Sequence, residues 1–206
     1  LGVQSGEVCS NATVLTLAAN TVTRSADTTV GYVSDYNVGA FCTGTVGPDR
    51  VYRITVPGGK KLTVIVSPTA PYNPSLNLAL ASACGVLPRD CLLGVNDGGA
   101  GGAESAVWTN GSANPIDLVI VIESASASGG ASAGMFDLTA TLSDLPTGEV
   151  CSNATTVSST TMAGQTTVGY TSEYGASNLC VGSSAGDHVY AIAVPDQQRL
   201  TATVTA

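Results

Sequence analysis

The stretch Asp49 to Val66, DRVYRITVPGGKKLTVIV, alternates apolar and polar residues on both sides of a Pro57-Gly58-Gly59 turn. Tyr52, Ile54 and Val56 fall on one face of the first half, and Leu62, Val64 and Val66 on one face of the second, which is the period of a half-buried strand. The segment therefore reads as two strands joined by a turn into a hairpin. It recurs as Asp187 to Val204, DHVYAIAVPDQQRLTATV, with Tyr190, Ile192, Val194, Leu200 and Val204 at the matching positions.

Working outward, the recurrence widens into a repeat. GEVCSNAT stands at Gly6 to Thr13 and again at Gly148 to Thr155, and TTVGY at Thr28 to Tyr32 returns at Thr166 to Tyr170. Cys42 corresponds to Cys180 and Asp49 to Asp187, both 138 positions apart, whereas Cys9 and Cys151 are 142 apart, so the second copy is four residues shorter before TTVGY. Length differences of this kind belong in loops. Residues 6–144 are read as one complete module and residues 145–206 as the first half of a second.

The segments between the copies also read as strands. Ser75 to Leu80 alternates Leu76, Leu78 and Leu80; Ala106 to Thr109 holds the single Trp; Asp117 to Ile122 is a buried run; Met135 to Leu142 alternates Phe136, Leu138, Ala140 and Leu142. Breakers separate them at Asn96-Asp97-Gly98-Gly99, Asn110-Gly111 and Ser128-Gly129-Gly130, and no long window carries a helical period. The expected fold is all-β, a jelly-roll-like antiparallel β-sandwich.

Composition narrows the function. Charged residues are 11% of the 206, against roughly 25% in an ordinary globular chain. The net charge of -8 comes from acidic residues dispersed singly, and the positive charges cluster only at Lys60-Lys61 and at Arg50 with Arg53. Too few cations stand together to neutralise a phosphate backbone, which argues against nucleic acid as a partner. The longest apolar run, Leu118 to Ile122, is far shorter than the ~20 residues of a membrane span. Leu1 opens neither a signal peptide nor an initiating Met, so the chain is expected to be a processed or excised piece.

Six cysteines allow 15 pairings. Requiring each copy to pair alike selects Cys9 with Cys42 and Cys151 with Cys180, and leaves Cys84 with Cys91. A metal site is the poorer reading, with one His in the chain and no C-x-x-C spacing. Disulfides imply an oxidising compartment, extracellular or at the cell surface.

The ordered series Asp49-Arg50-Val51-Tyr52-Arg53-Ile54-Thr55-Val56-Pro57, Leu62-Thr63-Val64, Tyr72 with Leu76 and Leu78, Asn96-Asp97-Gly98-Gly99 and Gly134-Met135-Phe136-Asp137-Leu138 resembles the bacterial pre-peptidase C-terminal type of domain. The likeness covers about Cys9 to Leu142, and the second copy carries its first half. It implies a jelly-roll-like sandwich of secreted or surface bacterial proteins, often appended to peptidases and usually without catalysis of its own.

Catalytic patterns meet plainer readings. Gly182-Ser183-Ser184-Ala185-Gly186 and Gly130-Ala131-Ser132-Ala133-Gly134 fit G-x-S-x-G, but both precede strands, whereas a nucleophile elbow needs a strand before it and a helix after it. His188 stands where the first copy has Arg50 and reads as a solvated strand-end residue rather than a general base. Asn96, Asp97 and Glu104 are candidate calcium ligands, hard oxygens on a glycine-bent loop, against the plainer reading of an Asx-type turn with exposed carboxylates. No other cofactor is expected. Sequons begin at Asn11, Asn110 and Asn153.

The leading expectation is a non-enzymatic repeat module of a secreted or cell-surface bacterial protein, structural or adhesive, a subunit of an extracellular fibre or array. Its partners would be further copies of itself or other segments of the same parent protein. The alternative is an accessory domain that attaches a secreted peptidase or other hydrolase to its substrate.

Overall fold

The computed structural model of the chain describes residues 4–36, 43, 47–84, 91–125, 132–157, 161–172, 174 and 185–205. The chain divides into two units, Leu1–Asp144 and Leu145–Ala206. In the first, a single 3-10 turn, Cys9–Asn11, precedes β1 (Thr13–Val14), β2 (Thr21–Thr28), β3 (Arg50–Val56), β4 (Lys60–Pro68), β5 (Pro74–Leu80), β6 (Cys91–Val95), β7 (Glu104–Asn110), β8 (Ile116–Ser124) and β9 (Met135–Asp144). One sheet has the order β1-β3-β8-β5-β6 and the other β2-β9-β4-β7. Every connection except β5 to β6 passes from one sheet to the other. This is the expected all-β, jelly-roll-like sandwich, antiparallel apart from the β1–β3 pair.

That connectivity corrects one expectation. β3 and β4 are not a hairpin: β3 pairs with β8, Tyr52 opposite Ile120, while β4 pairs with β7 and β9, Leu62 between Trp108 and Leu142. Pro57-Gly58-Gly59 is a corner between layers. Asn110, buried at the end of β7, holds it by donating from Nδ2 to the Val56 carbonyl at 2.9 Å, and the Gly59 amide donates to the Asn110 carbonyl at 2.9 Å. A Cβ on Gly58 would lie 2.5 Å from the Ala113 backbone, so the corner admits only glycine there. Alternation alone could not separate a hairpin from a corner, because both place the two apolar faces against one core.

The core lies between the sheets. Tyr52, Ile54, Leu76, Leu118, Ile120 and Ile122 from the first sheet meet Leu62, Val64, Phe136, Leu138 and Ala140 from the second, all at most 1% exposed. Tyr52 meets Phe136 edge to face, ring centroids 6.5 Å apart and planes at 84°. A second, smaller cluster forms on the other face of the first sheet, where Val51, Ala79, Val119 and Val121 lie beneath Tyr36, Cys9, Ala12 and Cys84. Burial on both faces explains why β8 reads as a continuous apolar run instead of an alternation.

The outer cluster is stapled by a disulfide between Cys9 and Cys84, Cα atoms 5.8 Å apart. This overturns the expected Cys9–Cys42 and Cys84–Cys91 pairs. Cys91 is disulfide-bonded as well, to a residue other than Cys84. Cys42 and Cys180 lie outside the described residues. Requiring the two copies to pair alike failed because the partner of Cys9 lies in the part of the module that residues 145–206 do not repeat: β3, β8 and β5 are neighbours in one sheet, so the 3-10 turn that leads into β1 at the β3 edge meets the turn that ends β5. A bridge across 75 residues is worth roughly 4.5 kcal/mol in the chain-entropy account.

The second unit begins as the first does. A 3-10 turn, Cys151–Asn153, leads into β10 (Thr155–Thr156), which pairs in parallel with β11 (Tyr190–Ala191), Thr155 opposite Tyr190 as Thr13 is opposite Tyr52. The corner is kept too, with Gln197 at φ 62° where Gly59 has 70°. Beyond Ala191 no described residue is in a strand.

Non-reducing peptide mapping of the oxidised chain should recover a peptide in which Cys9 is joined to Cys84. Recovery of Cys9 joined to Cys42 would contradict the arrangement of β3, β8 and β5.

Candidate functional site

The GEVCSNAT segment builds the same clasp twice. Val8 and Val150 each donate their amide to the Asn side chain three residues on, Asn11 and Asn153, at 2.9 Å. Gly6 and Gly148 each donate to that Asn's carbonyl at 2.8 Å, and their own carbonyls take the Val51 and Val189 amides at 2.7 Å, tying the clasp to β3 and to the residue before β11. Both glycines have φ near 90° (84° and 90°), and a Cβ on Gly148 would meet the His188 ring at 2.4 Å. The Asn11 and Asn153 side chains also donate to Gln4 and Pro146 carbonyls. With Asn110 in the corner, all three sequon amides are engaged inside the fold.

Acids at the same two places finish the clasp. The buried Glu7 and Glu149 carboxylates accept the Val33 and Thr171 amides at 2.7 and 2.8 Å. Asp49 accepts the Asp35 and Tyr36 amides on Oδ2 at 2.6 and 2.7 Å, and Asp187 accepts that of Tyr174 at 2.8 Å. Tyr36 and Tyr174 then bring their hydroxyls over the cysteines, 2.9 Å from Cys9 Sγ and 3.1 Å from Cys151 Sγ. Asp49 is fully buried, and its Oδ1 has no hydrogen-bond partner among the described residues. Burial outweighs the two amides and pushes its carboxyl up to about 7.

Above the clasp the copies diverge in a coordinated way. Arg50 packs between the Tyr32 and Tyr52 rings, its guanidinium 5.0 and 5.5 Å from their centroids, and pairs with Asp27, which also accepts the Tyr52 hydroxyl at 2.8 Å. In the second copy His188 takes the place of Arg50, stacked at 4.6 Å on Tyr170 and 4.3 Å on Tyr190, and Gln165 takes that of Asp27, accepting the Tyr190 hydroxyl at 3.2 Å. The His188 Nδ1 lies 3.1 Å from the Thr166 carbonyl and Nε2 lies 2.9 Å from the Thr155 hydroxyl, so both ring nitrogens are engaged within the unit. His188 is thus a half-buried plug and not the solvated strand-end residue that its position suggested. The paired change from Arg with Asp to His with Gln was visible in the repeat, as was the Tyr that flanks each side.

What separates the copies most is the inward face. Tyr52, Ile54, Val56, Leu62 and Val66 are 0–1% exposed, whereas their counterparts Tyr190, Ile192, Val194, Leu200 and Val204 are 40%, 44%, 44%, 49% and 95% exposed. Among the described residues β11 pairs only with β10, so the edge that β8 occupies in the first unit is open. An exposed apolar face beside an open strand edge is a surface suited to strand addition.

Other candidates resolve into structure. Both Glu104 carboxylate oxygens accept amides of its own turn, from Asp97 at 2.9 Å and Gly98 at 2.8 Å, with Glu104 buried and Asn96 and Asp97 exposed. Among the described residues no three His, Cys, Asp or Glu side chains are grouped as metal ligands. A depression on the outer face of the first sheet, by Val14, Leu17, Thr55 and Asp117, has its polar groups joined to each other: Asp117 accepts from Thr55 at 2.5 Å and pairs with Arg53, which hold its carboxyl below the usual range. Of the G-x-S-x-G serines, Ser132 precedes β9 and Ser184 lies outside the described residues. No described helix is long and apolar enough to cross a membrane.

No protein-family model and no curated protein matches the chain. Among solved structures, it is similar to a periplasmic inhibitor of g-type lysozyme, PliG, from Aeromonas hydrophila, at 14% identity and a TM-score of 0.42 over 64% of this chain and 96% of that one. It is also similar to CorA, a surface-associated copper-binding protein of Methylomicrobium album BG8, at 15% identity and a TM-score of 0.38 over 65% and 98%.

The raised Asp49 carboxyl sets a pH dependence. The folded first unit keeps a proton that the unfolded chain releases near pH 4, so this contribution is fully present in acid and is lost as pH rises through about 7. Relative to Asp49→Asn, wild type should lose on the order of 2 kcal/mol between pH 5 and pH 8. Denaturant melts at the two pH values measure this, and a constant difference between the two proteins would contradict the assignment.

Proposed function

We propose that the chain is a non-enzymatic, repeated structural module of a secreted or cell-surface bacterial protein, of the pre-peptidase C-terminal type. The observation that carries this reading is what the repeat preserves. Gly6/Gly148, Glu7/Glu149, Asn11/Asn153, Tyr36/Tyr174 and Asp49/Asp187 keep their hydrogen bonds pair by pair, and each bond holds the chain's own backbone. The one imidazole is not kept, and where it stands it is stacked and hydrogen-bonded within its own unit. A scaffold is repeated here, not a set of reacting groups.

The Cys9–Cys84 bridge supports residence outside the reducing cytoplasm. A low-charge, hydroxyl-rich surface with a net charge of -8 suits a soluble element of an extracellular array. Serial repetition of such units would give length without new chemistry.

Fractionation of the source cells with an antibody to the purified chain should place it outside the cytoplasm, and immunogold labelling should decorate surface or extracellular material. The purified chain should hydrolyse neither casein nor p-nitrophenyl acetate above the buffer blank. A cytoplasmic pool, or hydrolysis abolished by Ser132→Ala or Ser184→Ala, would overturn the reading. Tight retention on an insoluble protein or polysaccharide would favour an attachment domain instead.

A further inference from the structure

The second unit holds two features that the first unit has satisfied. Its apolar face, Tyr190, Ile192, Val194 and Leu200, lies open where the matching residues of the first unit are at most 1% exposed. Its cysteine, Cys151, is exposed and outside any disulfide, although the clasp presents it as it does Cys9, with the amide donating to a Tyr174 hydroxyl at 2.9 Å as Cys9 does to Tyr36 at 2.7 Å. In the first unit both needs are met from one segment. β8 adds antiparallel to β3 across seven residue pairs, β5 adds to β8, and the turn after β5 delivers Cys84 to Cys9.

We infer that the second unit is an acceptor for a donor segment of the same repeat, homologous to Pro74–Asp144, which adds a β8-like strand to the open edge of β11 and bonds Cys151 through a cysteine placed as Cys84 is. This rests on the reading of the chain as a structural repeat and gives that reading a joint. The occupant's chemistry follows from the first unit: a strand with apolar residues at the Leu118, Ile120 and Ile122 positions, preceded by a strand that ends in a cysteine-bearing turn. The first unit cannot lend its own β8, which is paired on both sides within its sheet. Closure couples two thiols by exchange with a disulfide oxidant. One thiolate attacks oxidised glutathione and releases one glutathione thiol, then the second thiolate attacks the mixed disulfide and releases the other. Two protein thiols thereby become one disulfide while one oxidised glutathione becomes two reduced ones.

By the geometry of the first unit the partner of Cys151 is a cysteine on the donor and not Cys180 of the same copy.

The test uses the oxidised 206-residue chain, whose Cys9–Cys84 bridge is already closed, mixed in a glutathione redox buffer with a recombinant donor spanning residues 69–144 with Cys91→Ser. The expected product is a 1:1 adduct that dithiothreitol dissolves. Mapping should find donor Cys84 on Cys151, and maleimide labelling of Cys151 should fall at least tenfold. Cys151→Ser should abolish the covalent adduct and leave a 1:1 complex on size exclusion, whereas a donor with Leu118, Ile120 and Ile122 changed to Asp should give neither. Should the free donor precipitate, the same segment fused after Ala206 gives the same map and the same protection. Donor Cys84 on Cys180, a Cys151 that labels as fast with donor as without, or pairing of two 206-residue chains through their open faces would each overturn the inference. None of these outcomes bears on cell fractionation or hydrolysis, so failure here is distinct from failure of the functional reading.

Discussion

The structure depends on one constraint: the inward faces of β3 and β4 lie in different sheets and must bury each other. Each face alone is a row of Tyr, Ile, Val and Leu, and a single sheet leaves such a row in water. Placing Pro57-Gly58-Gly59 as a corner turns one continuous stretch of chain into opposite walls of the core. β8 and β9 then fill the space beside them, and the remaining strands extend the two layers. Burying a residue such as Ile54 or Leu62 contributes on the order of 1.5–3 kcal/mol, so the core outweighs any of the exposed ion pairs, Arg53–Asp117 and Lys60–Asp144 among them.

The chain carries its own control for that constraint. Residues 145–206 repeat the clasp with nearly unchanged distances, yet the strand that follows is only two residues long and the second wall is not in strand form. Local structure made from Gly, Asn, Glu and Asp bonded to nearby backbone needs no partner sheet. A strand does, because its free energy comes from pairing and from the far wall. The His188–Gln165 pair fits the same contrast. The first copy encloses its Arg50–Asp27 ion pair beside a full core, whereas the second stacks an imidazole between two tyrosines in a more open setting.

Much of the fold was legible because its central strands alternate, and β8 was legible as a run because it is buried on both faces. In the first unit the strands that escaped reading are β1, β2 and β6, each at an edge of its sheet. Thr21 to Thr28 is half exposed and interrupted by a bulge between Arg24 and Asp27, so it carries no apolar period to find. The hairpin reading of β3 and β4 and the pairing of Cys9 with Cys42 failed for different reasons. The first assumed that neighbours in sequence pair in one sheet, which a sandwich whose chain alternates between layers breaks at nearly every turn; the second assumed that both copies hold the same cysteine pair, whereas Cys84 lies in the part that residues 145–206 do not repeat. Glu104 and His188 were singled out for their chemistry, and each proved to be held by its own turn or by its flanking tyrosines.

Native-state hydrogen exchange read by mass spectrometry compares the two copies within one molecule. Amides of Val51 to Val56 should exchange only through global opening of the first unit, while those of Ile192 to Val204 should exchange within about two orders of magnitude of the unstructured rate. Equal, strong protection of the two stretches in the isolated chain would contradict the claim that the strand exists only where a second wall covers it.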